Sequence, residues 1–505
     1  MPHKIGFDNE KYLQEQSEAI LERVNQFDGR LYLEFGGKIL YDFHASRVLP
    51  GFDPNVKMRL LHKLRDKVEV ILCIHAGAIE QKKMRADFGI TYDVDAMKMI
   101  DDYAEWDIPV TAVVITRFKN QSGAVTFKNR LERRGIRVLT HTPTRGYPAD
   151  IDAIVSDEGY GANPPVETTR PIVVVTGPGP GSGKLGTCLC HLYHDYRRGI
   201  KAGYAKFETF PIWNLPLEHK VNTAYEAATL DLKDFNEIDH HHLAAYGETV
   251  VNYNRDIEAF PLLRRIIEKI TGDESFYKSP TDMGVNRAGY GITDDSIVQD
   301  AAHQEVIRRY FRCACEYAMG MTDKTTLERA RMIMDKVHAR TDDRPVVLPA
   351  REAASSAEQT GKGYDGIFCG AAIELADGTI VTGKNSPLMH AASSLVLNAS
   401  KQLAGIPDNI PLLPENIILS LTKLKQNILK GKMISLDLEE TLIALAISAT
   451  SNPVAQSALG VLDQLRGCEL HLTHMPTPGD EAGLRKLGVN LTCDPEFPSK
   501  QLFIS

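Results

Sequence analysis

The sequence has no apolar run near the ~20 residues of a membrane-spanning helix, so no span is read from it. Its first residues, Met1-Pro-His-Lys-Ile-Gly-Phe7 and onward, lack the apolar core of a secretory signal. The eight cysteines form no C-x-x-C pair. The nearest, Cys188 with Cys190 and Cys313 with Cys315, are spaced so that their side chains diverge on a helix. This excludes a zinc ribbon and leads us to expect a reduced, cytoplasmic protein without zinc. The H-E-x-x-H helix of zinc proteases and the G-x-S-x-G elbow of hydrolases are also missing. Basic residues are not in excess, 58 Lys and Arg against 66 Asp and Glu, which argues against nucleic acid as a partner. Neither internal repeats nor low-complexity tracts are present. What remains is an ordinary globular composition, 43% apolar and 25% charged with net charge −8, over 505 residues. That length suggests about three domains at ~150 residues each.

The chain is organised around Arg170-Pro-Ile-Val-Val-Val-Thr-Gly-Pro-Gly-Pro-Gly-Ser-Gly-Lys-Leu-Gly-Thr187. The β-branched run 172–176 predicts a buried strand. It breaks into Gly177, Gly179, Gly181 and Gly183, and helix-compatible sequence resumes at Lys184. Strand, glycine loop and helix together aim backbone N–H groups and a helix N-terminus at an anion. Lys184 adds a charge, and Ser182 and Thr187 add hydroxyls. The pattern departs from G-x-x-x-x-G-K-[ST]: Pro178 stands at the first glycine and Leu185 at the hydroxyl after the lysine. It departs from G-x-G-x-x-G as well, so a plain Gly/Pro turn is the alternative.

Before this motif, apolar runs at 30–35, 68–75, 110–116, 136–140 and 151–156 read as strands. Helical runs at 55–66, 94–106 and 124–134 separate most of them. Such alternation implies a parallel sheet with right-handed crossovers. The loops holding His75, Arg117, His141 and Arg145 follow strand ends, where parallel sheets place ligand sites. After the motif, 201–210 reads as a strand that should lie beside the first, with Lys206 near its carboxyl end as a second cation for phosphates. Glu226 and Asp231 are carboxylates able to hold Mg²⁺. Asp239-His-His-His242 reads as a polar loop, since three consecutive histidines cannot face one ion. The stretch 278–291 is a long loop carrying Asp282, Asn286 and Arg287 between glycines, read as a substrate loop or lid.

In the last third, 371–375 and 379–382 flank Asp377-Gly378, a strong hairpin signal. A loop with Lys384 and Asn385 then leads to a helix at 388–403, and both residues are assigned to the substrate loop. Hairpin then helix resembles the opening of nucleoside deaminases, without their zinc ligands. Further helices are expected at 415–429, 438–450 and 455–465, with a strand at 469–473. The expected fold is α/β: mostly parallel, Rossmann-like or P-loop-like three-layer sheets, with a C-terminal α/β domain containing the hairpin. Three domains are expected, at 1–165, 166–345 and 346–505.

Four stretches carry a resemblance along almost the whole chain: Thr176 to Thr187, Asn252-Tyr-Asn-Arg-Asp-Ile-Glu-Ala-Phe260, Lys278-Ser-Pro-Thr-Asp-Met-Gly-Val-Asn286 and Thr382-Gly-Lys-Asn-Ser-Pro387. Through them the chain resembles a bacterial family of unknown function, some members of which carry a label of ATP-dependent peptidase. The missing protease motifs give that label no support. Residues 171–234 locally resemble the nucleotide-binding half of dethiobiotin synthetase and CTP synthase, where a strand ending in a functional lysine follows the glycine loop. That resemblance implies ATP or GTP with Mg²⁺ as cofactor. The implied reaction is phosphate activation of a carboxylate or amide oxygen. Lys184 and Lys206 would be the catalytic cations, Gly177 to Lys184 with Thr187 the phosphate site, and Glu226 and Asp231 the metal site. Two alternatives stay open: a regulatory protein that binds an anion without turnover, and a metabolic enzyme that holds a phosphorylated substrate and no nucleotide. A homo-oligomer with a phosphorylated small molecule as partner is expected in each case.

Overall fold

A computed structural model of the chain describes residues 5–85, 89–431 and 434–500. Its described residues form two compact units, one of 5–226 and 233–302, the other of 227–232 and 303–500.

The first unit is built on six parallel strands: β1 (Leu31–Phe35), β2 (Val68–His75), β3 (Val110–Thr116), β4 (Val138–Thr140), β5 (Ile172–Thr176) and β6 (Gly203–Phe207). Their order is β4-β3-β2-β5-β1-β6. Helices α1 (Asn9–Asn25), α2 (Tyr92–Glu105), α3 (Ser122–Glu132), α4 (Lys184–Arg197) and α5 (Asn254–Thr271) belong to the same unit. Alternate strand residues feed two cores, as the two-residue strand period demands. Ile71, Cys73, Val173 and Val175 pack with Leu189 and Leu192 of α4 and Phe260 of α5. Leu72, Ile74, Val113 and Ile115 pack with Ala96 of α2 and Phe127 and Leu131 of α3. With both faces covered, the strands can be the near-continuous Val/Ile runs that the sequence shows.

The sheet bears on three expectations. A break at residue 165 does not follow the sheet, because β5 lies between β1 and β2 and pairs with both. The run 151–156 is not a strand. Asp150 accepts the amide of Ala153 and caps a single helical turn, Ile151–Ile154, whose Ile154 fills the α4–α5 core. Short apolar runs do not separate buried strand from buried turn by periodicity. The strand expected at 201–210 forms as β6 and lies beside the first, β1, which separates it from β5.

The second unit has a mixed sheet of β7 (Gly370–Glu374), β8 (Ile380–Lys384), β9 (Glu469–Leu472) and β10 (Asn490–Cys493), ordered β8-β7-β9-β10. The pair β7–β8 is the expected hairpin, and Gly378 takes the φ of 87° that its turn requires. Helix α6 (Val347–Gln359) covers one face, Ala350 meeting Ala372. Helices α7 (Ala391–Ala404), α8 (Leu438–Ala449) and α9 (Pro478–Leu487) enclose the other core, with Leu395, Leu445 and Leu484 fully buried.

Candidate functional site

The connection from β2 leads through α2 to β3 on one side, and that from β5 through α4 to β6 on the other. Because these two helices lie on opposite faces, the chain reverses direction between β2 and β5. Adjacent strands whose crossovers diverge open a crevice at their carboxyl ends. The glycine loop sits there. A Cβ on Gly177 would lie 2.3 Å from the Cys73 carbonyl oxygen, so the loop packs on the end of β2 with no room for a side chain. Gly183 has φ 91°, and a Cβ there would lie 2.7 Å from Thr116. The loop is tied internally as well. Ser182 Oγ donates to the Gly179 carbonyl at 2.5 Å, and Thr116 Oγ1 donates to the Ser182 carbonyl at 2.7 Å.

This folding leaves donors open. Gly183 caps α4 with no side-chain bond, and the first intrahelical bond runs from Thr187 N to the Gly183 carbonyl. The amides of Gly181, Gly183, Lys184, Leu185 and Gly186 meet no acceptor among the described residues. The side chain of Lys184 forms no ion pair among them either. Around the crevice stand other cations: Arg117, in the left-handed region at φ 51°, and Lys83, 5.3 Å over the Tyr92 ring. His75, at the end of β2, has its pKa pushed down by burial and then by the charges of Arg117 and Lys83. A helix N-terminus with open amides and unpaired cations favours an anion.

The remaining site residues fall elsewhere. Thr187 is buried on α4, where its hydroxyl accepts from Cys73 Sγ at 3.3 Å. Lys206 lies at the end of β6, two strand spacings or ~10 Å across the sheet from β5. Its ammonium bonds Asp256 and lies 3.1 Å from Glu208. Burial opposes its charge, but those two carboxylates outweigh it and raise the pKa. Glu226 is buried, with Oε1 accepting the Asn236 backbone amide at 3.0 Å and its Nδ2 at 2.8 Å. Asp231 is exposed on a short 3-10 turn of the other unit. Among the described residues no three His, Cys, Asp or Glu side chains gather as metal ligands.

The 278–291 stretch is anchored along the edge of β6. Asp282 and Ser279 form a capping box over Pro280–Met283, and Asp282 also accepts the Tyr246 hydroxyl. Val285 N donates to the Lys206 carbonyl at 3.0 Å, and Asn286 Oδ1 accepts from Glu208 N at 2.8 Å. Arg287 lies over the Tyr290 ring. The stretch therefore shares the carboxyl edge of the sheet with the glycine loop but is pinned beyond β6, the outermost strand. In the second unit, Lys384 Nζ donates to Ser356 Oγ at 2.7 Å. Asn385 accepts from Cys369 N and donates to the Ile367 carbonyl. Thr116 and Tyr92, which shape the loop, were not singled out from sequence. The only signal for Thr116 is its place at the end of a strand run, and Tyr92 carries none.

Residues 5–338 match the family model described as "Domain of unknown function DUF1846, N-terminal", and residues 342–503 match "Domain of unknown function DUF1846, C-terminal". A UPF0371 protein of Clostridium tetani (strain Massachusetts / E88) is 57% identical over 500 residues, 99% of each chain. The chain belongs to this family. A UPF0371 protein of Clostridium botulinum (strain Kyoto / Type A2) is also 57% identical, and one of strain Okra / Type B1 is 56% identical, both over 99% of each chain. The glycine loop falls within the N-terminal family domain and the β7–β8 hairpin within the C-terminal one. Neither family description names an activity.

Proposed function

We propose that the crevice between β2 and β5 binds the phosphate of a nucleoside triphosphate or another phosphorylated small molecule, and that the protein is an enzyme using it. One observation carries the reading: five amides and Lys184, without acceptor or ion pair among the described residues, stand where the sheet reverses its winding. With ATP or GTP, Mg²⁺ would neutralise charge on the phosphates, and among the described residues no three His, Cys, Asp or Glu side chains stand gathered to hold it. Lys184, at the first position of α4, would balance charge on a transferred phosphoryl group.

A second reading, binding without turnover, is favoured by the commitments of Thr187 to Cys73 and of Lys206 to Asp256 and Glu208. Those are the groups a phosphotransfer site would want free. Thermal-shift measurements with ATP, GTP and phosphorylated metabolites, with and without Mg²⁺, test both. A ligand at a hundred times its Kd stabilises by ~2.7 kcal/mol. Lys184→Ala should abolish most of that shift while the unliganded protein melts as before. If no phosphorylated compound shifts the melt, the anion reading fails. Binding that ignores Mg²⁺ and releases no phosphate with any co-substrate selects the second reading.

A further inference from the structure

The second unit holds a cleft at the N-terminus of α7, and the glycine loop has no part in it. His390 occupies the cap position of α7 but makes no bond to the helix amides. Its Nδ1 instead donates to Asp480 Oδ2 at 2.7 Å. Asp480 also accepts from Thr477 Oγ1 at 2.8 Å and from Leu438 N at 2.9 Å, so both of its oxygens are engaged. The amides of Ala391, Ala392 and Ser393 meet no acceptor among the described residues, and all three residues are buried. The first amides of a helix have no partner within it and are met by a cap, by water or by a ligand. Two buried side-chain atoms at the cleft also lack partners among the described residues. They are His390 Nε2 and Ser435 Oγ, the latter on a residue only 1% exposed, and both residues line the cleft.

The chemistry of these groups selects a ligand class. A helix N-terminus offers about half a positive charge and three donors, which suits a single negative charge. No Lys or Arg among the described residues lines the cleft, so a dianionic phosphate would lack its counter-charge. In the neutral ring, Nδ1–H given to Asp480 leaves a lone pair on Nε2, and Ser435 Oγ can accept or donate. A hydroxyl or amino group next to a carboxylate satisfies both. Ile367, Leu472 and Met475 supply an apolar wall. We infer that this cleft binds a small 2-hydroxy or 2-amino monocarboxylic acid with an apolar side chain, its carboxylate on the first turn of α7.

The test is calorimetric titration of the full-length chain with 2-hydroxyisocaproate, leucine, 4-methylpentanoate and isoamyl alcohol, and competition by inorganic phosphate. One of the two 2-substituted acids should bind at a single site, and which one identifies the substituent. Removing the substituent should weaken binding about tenfold, the effect of one lost hydrogen bond to a buried group. The alcohol should not bind, and phosphate should not displace the acid. Ala391→Pro deletes one of the three amides at a position where proline is tolerated, since His390 already has φ −70° and ψ 163°. It should weaken binding about tenfold with an unchanged melt, and Ser435→Ala should do so about fivefold. Lys184→Ala should leave this binding untouched, which separates it from the phosphate reading. The inference is overturned if neither acid binds near 10 mM (roughly 2.7 kcal/mol), if phosphate displaces them, or if Ala391→Pro binds like the parent.

Discussion

Two glycines of the phosphate loop invite the same substitution and should answer it differently. Gly181 and Gly183 both have positive φ, 75° and 91°, so alanine at either bears the left-handed penalty of about 1–2 kcal/mol. An added Cβ at Gly181 meets no described atom within 4 Å, whereas at Gly183 it meets Thr116 Cγ2 and Oγ1 at 2.7 Å and Thr116 Cβ at 2.8 Å. Thr116 cannot swing away, because it is buried in β3 and its hydroxyl holds the Ser182 carbonyl. Forcing a methyl into packed surroundings costs a further ~1–3 kcal/mol. The loss of unfolded-chain freedom is the same for both changes and cancels in the comparison. Gly183→Ala should therefore be less stable than Gly181→Ala by about 1–3 kcal/mol. Urea unfolding followed by tryptophan fluorescence reads this cleanly, since both tryptophans, Trp106 and Trp213, lie in the first unit. Equal destabilisation by the two changes would mean that β3 does not support the loop as described.

Acid should weaken the first unit through His191, whose Nδ1 donates to the Thr187 carbonyl and whose Nε2 accepts from Val166 N. Burial pushes its pKa down to about 3, so its contribution is intact above the unfolded value of about 6.5 and is lost as the pH falls toward 3. Urea midpoints between pH 7 and 4 should fall less steeply in His191→Gln than in the parent, and parallel slopes would exclude this residue. Lys206→Met should leave Asp256 and Glu208 facing each other and cost about 3 kcal/mol, with Lys206→Met/Asp256→Leu recovering part of it. Parental stability in the single variant would return Lys206 to the pool of cations free for a ligand.

Much of the first sheet is legible locally. The β-branched run of β5, its glycine break and the start of α4 appear in eighteen consecutive residues, 170–187. Strand order is not legible in the same way. Nothing near Lys206 announces that β1 will lie between β6 and β5, or that Asp256, fifty residues on, will take its ammonium. Thr187 stands at a plausible spacing for a phosphate hydroxyl, but the helix turn that carries it points into the core, where Cys73 waits. In the second unit the hairpin is announced by Asp377-Gly378, yet the pairing of His390 with Asp480 joins residues ninety positions apart. Local propensity records elements, while sites are made by closures that local propensity does not encode.

The place of β5 in the sheet also sets an order of events during synthesis. β1 is complete at Phe35, but the strand that joins it to β2 begins only at Ile172, and its other neighbour only at Gly203. At the usual pace of ~5–20 residues per second, β1 waits on the order of ten seconds for a partner. During that interval β2, β3 and β4 can already assemble, with Val68 to Ile74 of β2 presenting an unpaired edge. A nascent chain stalled near residue 165 should thus be a sticky, half-built sheet that holdase chaperones recognise. Release past β6 should end that recognition, because a single insertion closes both open edges at once.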